Sequence, residues 1–218
     1  MDLNNKTILY YTANTESPVF EQKIIDDLKQ KAGDIPIVSV SHKPINLGTN
    51  ICVGNQSPSY VNEWRQMLIG LKAAKTKYCL TAEADCLYPD DYFKFTPKED
   101  DTMYYYDNIH ILWKRHKGFR KKSSVCEGAE ICNREFWISR FEPYFGKNLG
   151  NEWGLSTMME DRVLVEGFFD KKDTFTGDSV VSFKTGNGIS NKTGIKKGAF
   201  EDIPYWGIAS DLKAKYLS

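Results

Sequence analysis

An α/β fold, built on a mixed but mostly parallel central sheet flanked by helices, is what this sequence predicts. Three observations carry it. The chain opens with a strand–helix–strand unit, and such a connection places its two strands parallel. Further short β-rich runs alternate with helical ones through the first half of the chain. The length of 218 residues, with no internal repeat and no low-complexity linker, suits one domain covering 1–218 with a sizeable core.

The first strand, Lys6 to Thr12, is apolar and β-rich and ends in the turn-forming Ala13-Asn14-Thr15. Ser17 then reads as an N-cap with Pro18 at the first helical position. Val19, Phe20, Ile24, Ile25 and Leu28 recur at helical spacing, and Gly33 supplies the stop. Pro36 to Val40 is a second buried strand. The Gly-, Asn-, Pro- and Ser-rich stretch from Asn46 to Ser59 predicts an ordered loop. Ser59 caps a helix from about Tyr60 to Ala74, with Trp64, Leu68 and Leu71 on one face. Lys77 to Ala82 is a third strand, ending at Glu83-Ala84-Asp85. Met103–Tyr106 and Ile109–Trp113, joined by Asp107-Asn108, read as a hairpin. Asn133 caps a helix through Ile138, and a Gly-rich loop over 146–154 leads into a short helix reaching about Glu166. The last third alternates short strands with Gly- and Lys-rich turns, and an amphipathic helix from Ser210 or Asp211 closes the chain.

Composition excludes several classes. A hydrophobic content of 41% against 27% charged residues is ordinary for a soluble globular protein and too apolar for disorder. No apolar run approaches the roughly 20 residues that cross a bilayer, and Met1-Asp2-Leu3-Asn4-Asn5 has no signal-peptide layout, so a cytoplasmic protein is expected. The five cysteines are odd in number and lack a CxxC pair, which predicts reduced thiols rather than a zinc site or a disulfide framework. The net charge of zero conceals a division. Residues 1–110 carry 11 basic and 15 acidic side chains, and residues 111–218 carry 18 and 14. Acid concentrates from Glu83 to Asp107. Base concentrates in Lys114-Arg115-His116-Lys117-Gly118-Phe119-Arg120-Lys121-Lys122, which reads either as a solvated loop or as a phosphate-binding run.

Two acidic elements are candidates for chemistry. Glu83-Ala84-Asp85 stands at the carboxyl end of a strand, where open α/β sheets bind ligands. Its carboxylates suit Mg²⁺ or Mn²⁺, but Asp85 capping the turn before Pro89 accounts for it equally. Thr157-Met158-Met159-Glu160-Asp161 reads first as a capping box with acid at the helix N-terminus, and alternatively as the seat of a general base.

Taken together, the βαβ opening, the strand ending in acid-x-acid, the small-residue turn Glu127-Gly128-Ala129 and the Glu-Asp pair opening a helix resemble the GT-A glycosyltransferases, and among them the small inverting family-2 type. The likeness runs from about residue 6 to 170, and Ala73 to Pro89 follows the family's helix–strand–DxD layout. The resemblance implies a single Rossmann-like domain, with a nucleotide-sugar-binding half over about 1–100 and an acceptor-binding half over about 101–218. It implies transfer of a hexose, UDP-glucose being the family's common donor. It makes Glu83 and Asp85 the ligands of Mn²⁺ or Mg²⁺ and of the donor diphosphate, with glutamate in place of the usual first aspartate. It makes Asp161 the catalytic base and Glu160 its neighbour toward the acceptor. Thr12 and Asn14 fall where the family binds base and ribose, Arg65 or Gln66 where a side chain reaches the donor, and Gly128-Ala129 where backbone approaches the transferred sugar. Many members add a later histidine to the metal, but the last histidine here is His116, so Asn187 or water takes that place.

Small phage-type relatives are thought to glycosylate hydroxymethylated pyrimidines in DNA, so DNA held through Lys114, Arg115, Lys117, Arg120, Lys121 and Lys122, in a phage-infected cytoplasm, is one implied acceptor. A saccharide acceptor and a non-catalytic sugar-nucleotide-binding module are the alternatives.

Overall fold

The computed structural model describes residues 5–125, 128–145, 169–188, 195, 200–201 and 203–218. The expected loop over 146–154, the helix after it, and both Glu160 and Asp161 lie outside the described residues.

The opening unit forms as the sequence dictates. Strand β1 (Lys6–Thr12) leads through a turn to α1 (Pro18–Ala32), whose first turn is capped by Ser17 Oγ accepting from the Phe20 amide at 3.2 Å. The chain returns as β2 (Ile37–Ser41), parallel to β1. Within the expected loop a third parallel strand, β3 (Thr49–Cys52), adds to the sheet edge beside β2. Thr-Asn-Ile-Cys has no apolar alternation to announce a strand. Asn50 ties it down instead, its amide donating to the hydroxyls of Ser39 and Ser41, each at 2.9 Å. Gly48, at φ 56°, enters that strand against β2, and a Cβ there would lie 2.1 Å from the Ile37 carbonyl oxygen.

Helix α2 (Tyr60–Ala73), capped by Ser59, lies on one face, and β4 (Tyr78–Glu83) then pairs parallel to β1 on the side away from β2. The short β5 (Cys86–Leu87) and α3 (Asp90–Lys94) follow. Then come β6 (Met103–Tyr106), β7 (Ile109–Trp113), β8 (Arg120–Lys121), β9 (Glu130–Asn133), α4 (Arg134–Tyr144), β10 (Lys172–Phe175), β11 (Val180–Lys184) and α5 (Ala209–Tyr216). Among the described residues the larger sheet has seven strands in the order β10-β6-β9-β4-β1-β2-β3, antiparallel only where β9 meets β4 and β6. The smaller has four, β5-β11-β7-β8.

The expected hairpin does not form. β6 and β7 belong to different sheets, and Asp107-Asn108 is the crossing between them. The reason is a second chain segment that crosses alongside. β10 pairs parallel with β6 and β11 parallel with β7, and the Asp107 amide and the Asn108 carbonyl bond to Phe175 and Val180 across the crossing. A two-residue turn would have left those groups to solvent.

Strand β1 is buried throughout and divides its side chains by alternation. Ile8 and Tyr10 enter one core, with Leu28, Leu80 and Tyr92. Leu9 and Tyr11 enter the other, with Trp64, Leu71 and Trp137. A third core joins the small sheet to α1 and α5 through Phe20, Leu112, Phe183, Leu212 and Tyr216. Among the described residues no helix is long and apolar enough to cross a membrane.

Candidate active site

The carboxyl ends of β1 and β4 lie side by side, with Tyr11 and Glu83 register partners. Glu83 is fixed from several directions. The Tyr11 hydroxyl donates to its Oε1 at 3.3 Å. Its amide donates to the Tyr88 hydroxyl at 2.9 Å, and that hydroxyl donates on to the Gly128 carbonyl. Gly128 lies so close that a Cβ would stand 2.4 Å from the Glu83 carboxyl group, so a side chain there would displace the carboxylate from this position. Ala129, by contrast, is fully buried in the core.

Asp85 follows two residues on, and Cys86 then begins β5. The Cys86 thiol donates to Asp85 Oδ1 at 3.3 Å and approaches Glu83 Oε2 at 3.7 Å. The two acids are therefore brought together as the sequence predicts, with the Cys86 sulfur as the third member of a cluster whose ligand atoms lie within 4.8 Å of one another.

The partner missed by sequence reasoning is Lys184. Its ammonium donates to Asp85 Oδ2 at 3.0 Å, across 99 residues of sequence, with side-chain exposures of 20% and 15% for the pair. Strand pairing delivers it. β11 runs antiparallel to β5, Ser182 is the register partner of Cys86, and the Phe183 amide donates to the Asp85 carbonyl at 2.7 Å. Burial opposes the lysine's charge, but Asp85, then Cys86 and Glu83, outweigh it and hold its pKa far above the ordinary lysine value. Local sequence offered no signal beyond a lysine ending a strand.

Glu16 is a second addition. It is buried, accepts from the Thr185 hydroxyl at 2.7 Å and from the Asn187 amide at 3.4 Å, and burial raises its pKa. Asn187, the expected third metal ligand, thus turns toward Glu16. For a hard divalent ion the set is incomplete. One oxygen of Asp85 is taken by an ammonium, the other faces a thiol, and the expected amide ligand looks elsewhere.

The remaining expected contacts are drawn into the framework. Thr12 Oγ1 accepts from the Asn14 amide at 2.9 Å. Asn14 adopts φ 51°, receives the Lys43 amide on its Oδ1 at 2.8 Å and reaches Glu21 with its own amide. Gln66 donates to the carbonyls of both Thr12 and Val40, each at 2.9 Å, clamping β1 to β2. Arg65 is buried, with its guanidinium 5.1 Å from the Phe145 ring centre. Beside them His42 is 3% exposed, with both ring nitrogens buried and lacking a hydrogen-bond partner among the described residues.

The basic run splits in two. Lys114, Arg115 and Lys117 are exposed at the carboxyl end of β7, next to Lys184, whose register partner is Trp113. Arg120 lies over the Phe200 ring at 4.5 Å, Lys121 donates to Asn108, and Lys122 donates to the Val125 carbonyl at 2.8 Å. Lys121 also lines a cleft of about 490 Å³ with His110, Asp178, Glu201 and Tyr205, toward the opposite ends of β7 and β11. Tyr104, Tyr106 and Phe119, aromatics that would suit base stacking, are buried. The described cysteines carry no disulfide; Cys79 and Cys132 are cross-strand partners whose thiols burial keeps protonated.

This architecture is a GT-A-like fold. Staphylococcus aureus TarS 1–349 in complex with UDP-GlcNAc superposes with a TM-score of 0.54 at 11% identity, over 86% of this chain and 61% of that one. The S. aureus TarS structure gives 0.52 at 10% identity over 83% and 37%, and the TarS 1–349 complex with UDP gives 0.50 at 11% over 83% and 60%. The chain thus spans 37% to 61% of the TarS chains it matches. No protein-family profile matches the sequence, and no curated protein matches it.

Proposed function

We propose that this protein is a glycosyltransferase that moves a sugar, a hexose such as glucose, from a nucleoside-diphosphate donor to an acceptor hydroxyl with inversion at the anomeric carbon. The observation that carries the reading is the convergence of Glu83, Asp85 and Lys184 at adjoining strand ends in a GT-A-like fold. A uridine diphosphate donor is supported by the two TarS complexes, which hold UDP-GlcNAc and UDP on the same fold.

The chemistry assigns a task to each group. The acceptor oxygen forms a bond to the anomeric carbon as its proton passes to the Asp161 carboxylate, with Glu160 beside it toward the acceptor. The bond from that carbon to the diphosphate breaks on the opposite face, and its electron pair leaves on the diphosphate oxygen. Positive charge near that oxygen lowers the barrier. Thr12, Asn14 and Gln66 act by holding the ends of β1 and β2 in place for base and ribose, and Gly128 by giving room beside Glu83. The donor half over 1–100 and the acceptor half over 101–218 are retained in this reading, with Lys184 the member of the second half that faces the first.

The exposed Lys114, Arg115 and Lys117 at the rim support an acceptor that carries phosphates, of which a hydroxymethylated pyrimidine in DNA is one. The test is a transfer assay with UDP-glucose and UDP-GlcNAc against hydroxymethylated DNA and against a saccharide panel, with the anomeric configuration of the product read by NMR. Retained configuration rejects the inverting mechanism. Transfer to DNA that survives the triple change of Lys114, Arg115 and Lys117 to Ala, with no change in salt dependence, removes the rim from acceptor binding.

A further inference from the structure

We propose that the Lys184 ammonium takes the place of a divalent metal at the Glu83–Asp85 pair, so that binding and departure of the nucleoside diphosphate need no metal ion. This deepens the glycosyltransferase reading and rests on it.

The geometry is built rather than incidental. Lys184 is carried to Asp85 by backbone pairing on both sides of the contact: Phe183 bonds to the Asp85 carbonyl at 2.7 Å, and Ser182 registers with Cys86. Strand pairing fixes the backbone that carries this lysine, and its side chain keeps 20% exposure. An ammonium carries three donors, and Asp85 takes one. Among the described residues the others have no acceptor, and donated to a diphosphate oxygen they would supply the charge that a metal otherwise supplies.

The rest of the cluster argues against a second cation. Asp85 Oδ1 faces the Cys86 thiol, Glu83 is held by Tyr11, and Asn187 donates to Glu16. A hard ion that demands near-octahedral oxygen coordination meets an ammonium and a sulfur in its first shell, and the like charge of Lys184 repels it. Lys114 follows the register partner of Lys184, and its amide donates to the Lys184 carbonyl at 3.4 Å.

Calorimetric titration of uridine, guanosine, thymidine, adenosine and cytidine diphosphates, in EDTA and in Mn²⁺, tests this. At least one diphosphate is expected to bind equally tightly in both. Lys184→Met is expected to weaken that binding about 30-fold in EDTA, the value of a lost charge-assisted hydrogen bond, and Lys184→Arg to retain most of it. Mn²⁺ is expected to raise the melting temperature of Lys184→Met and leave the wild type unmoved. Should Lys184→Met not fold, the wild type and Lys184→Arg in the two buffers decide. Binding abolished by EDTA and restored by Mn²⁺ overturns the proposal and leaves the glycosyltransferase reading intact. Absence of binding by all five diphosphates in both buffers overturns both.

Discussion

The two sheets meet at the candidate site and contribute to it in opposite ways. The carboxyl edge of the large sheet is a closed hydrogen-bond network. Gln66 spends its amide on Thr12 and Val40, and Asn14 spans Lys43 and Glu21. Residues there that resemble ligand contacts hold the framework. The small sheet contributes charge: Lys184 on Asp85, and three exposed cations beyond it. Position at a strand end therefore nominates a residue, but the accounting of its hydrogen bonds decides whether it builds the site or meets the ligand.

The comparison can be broken in several places. The largest effect is expected from Asp161→Asn, which should lower transfer on the order of 10³-fold by removing the base while diphosphate binding stays unchanged. Equal loss of binding would assign Asp161 to the donor side. Asp85→Ala comes next. It strips Lys184 of its carboxylate, and for a pair this far from solvent the expected cost is about 3 kcal/mol of stability, read as a fall in denaturation midpoint. An unchanged midpoint would mean that the two sheets are not joined electrostatically.

Gln66→Ala should cost about 2 kcal/mol by removing two buried hydrogen bonds, a fall of roughly 6 °C in melting temperature. A loss of nucleotide affinity without loss of stability would return Gln66 to the ligand. The smallest effect concerns pH. Burial lowers the pKa of His42, so the folded state holds the neutral ring while the unfolded chain takes a proton near the ordinary value. Stability is therefore lost as pH falls below about 6.5, with His110, which burial also lowers, adding to the slope. Glu16 acts in the other direction: burial raises its pKa, so its ionisation above the ordinary carboxylate range costs stability. His42→Gln should flatten the melting-temperature profile between pH 7 and 5, and an unaltered slope would assign it to other groups.

Much of the fold was legible because local chemistry and tertiary structure agree over the first half. Ser17, Ser59 and Asn133 cap the helices they were expected to cap, and the acid pair ends the strand that it was expected to end. The failures have two causes. β3 is held by Asn50 rather than by an apolar pattern, and β6 and β7 part because β10 and β11 cross beside them. The side-chain bonds that hold β3 follow no apolar period, and the strands beside β6 and β7 lie about 70 residues away, so neither leaves a local trace.

The sequence by itself determined the parallel sheet, its capped helices and the meeting of Glu83 with Asp85, since these follow from side-chain period, cap chemistry and a spacing of two residues. Only the tertiary structure decided what faces those carboxylates. Lys184 lies 99 residues from Asp85 and reaches it through backbone pairing of β11 with β5, an interaction that any side chain at that position would share, and for that reason no pattern of residue types encodes it.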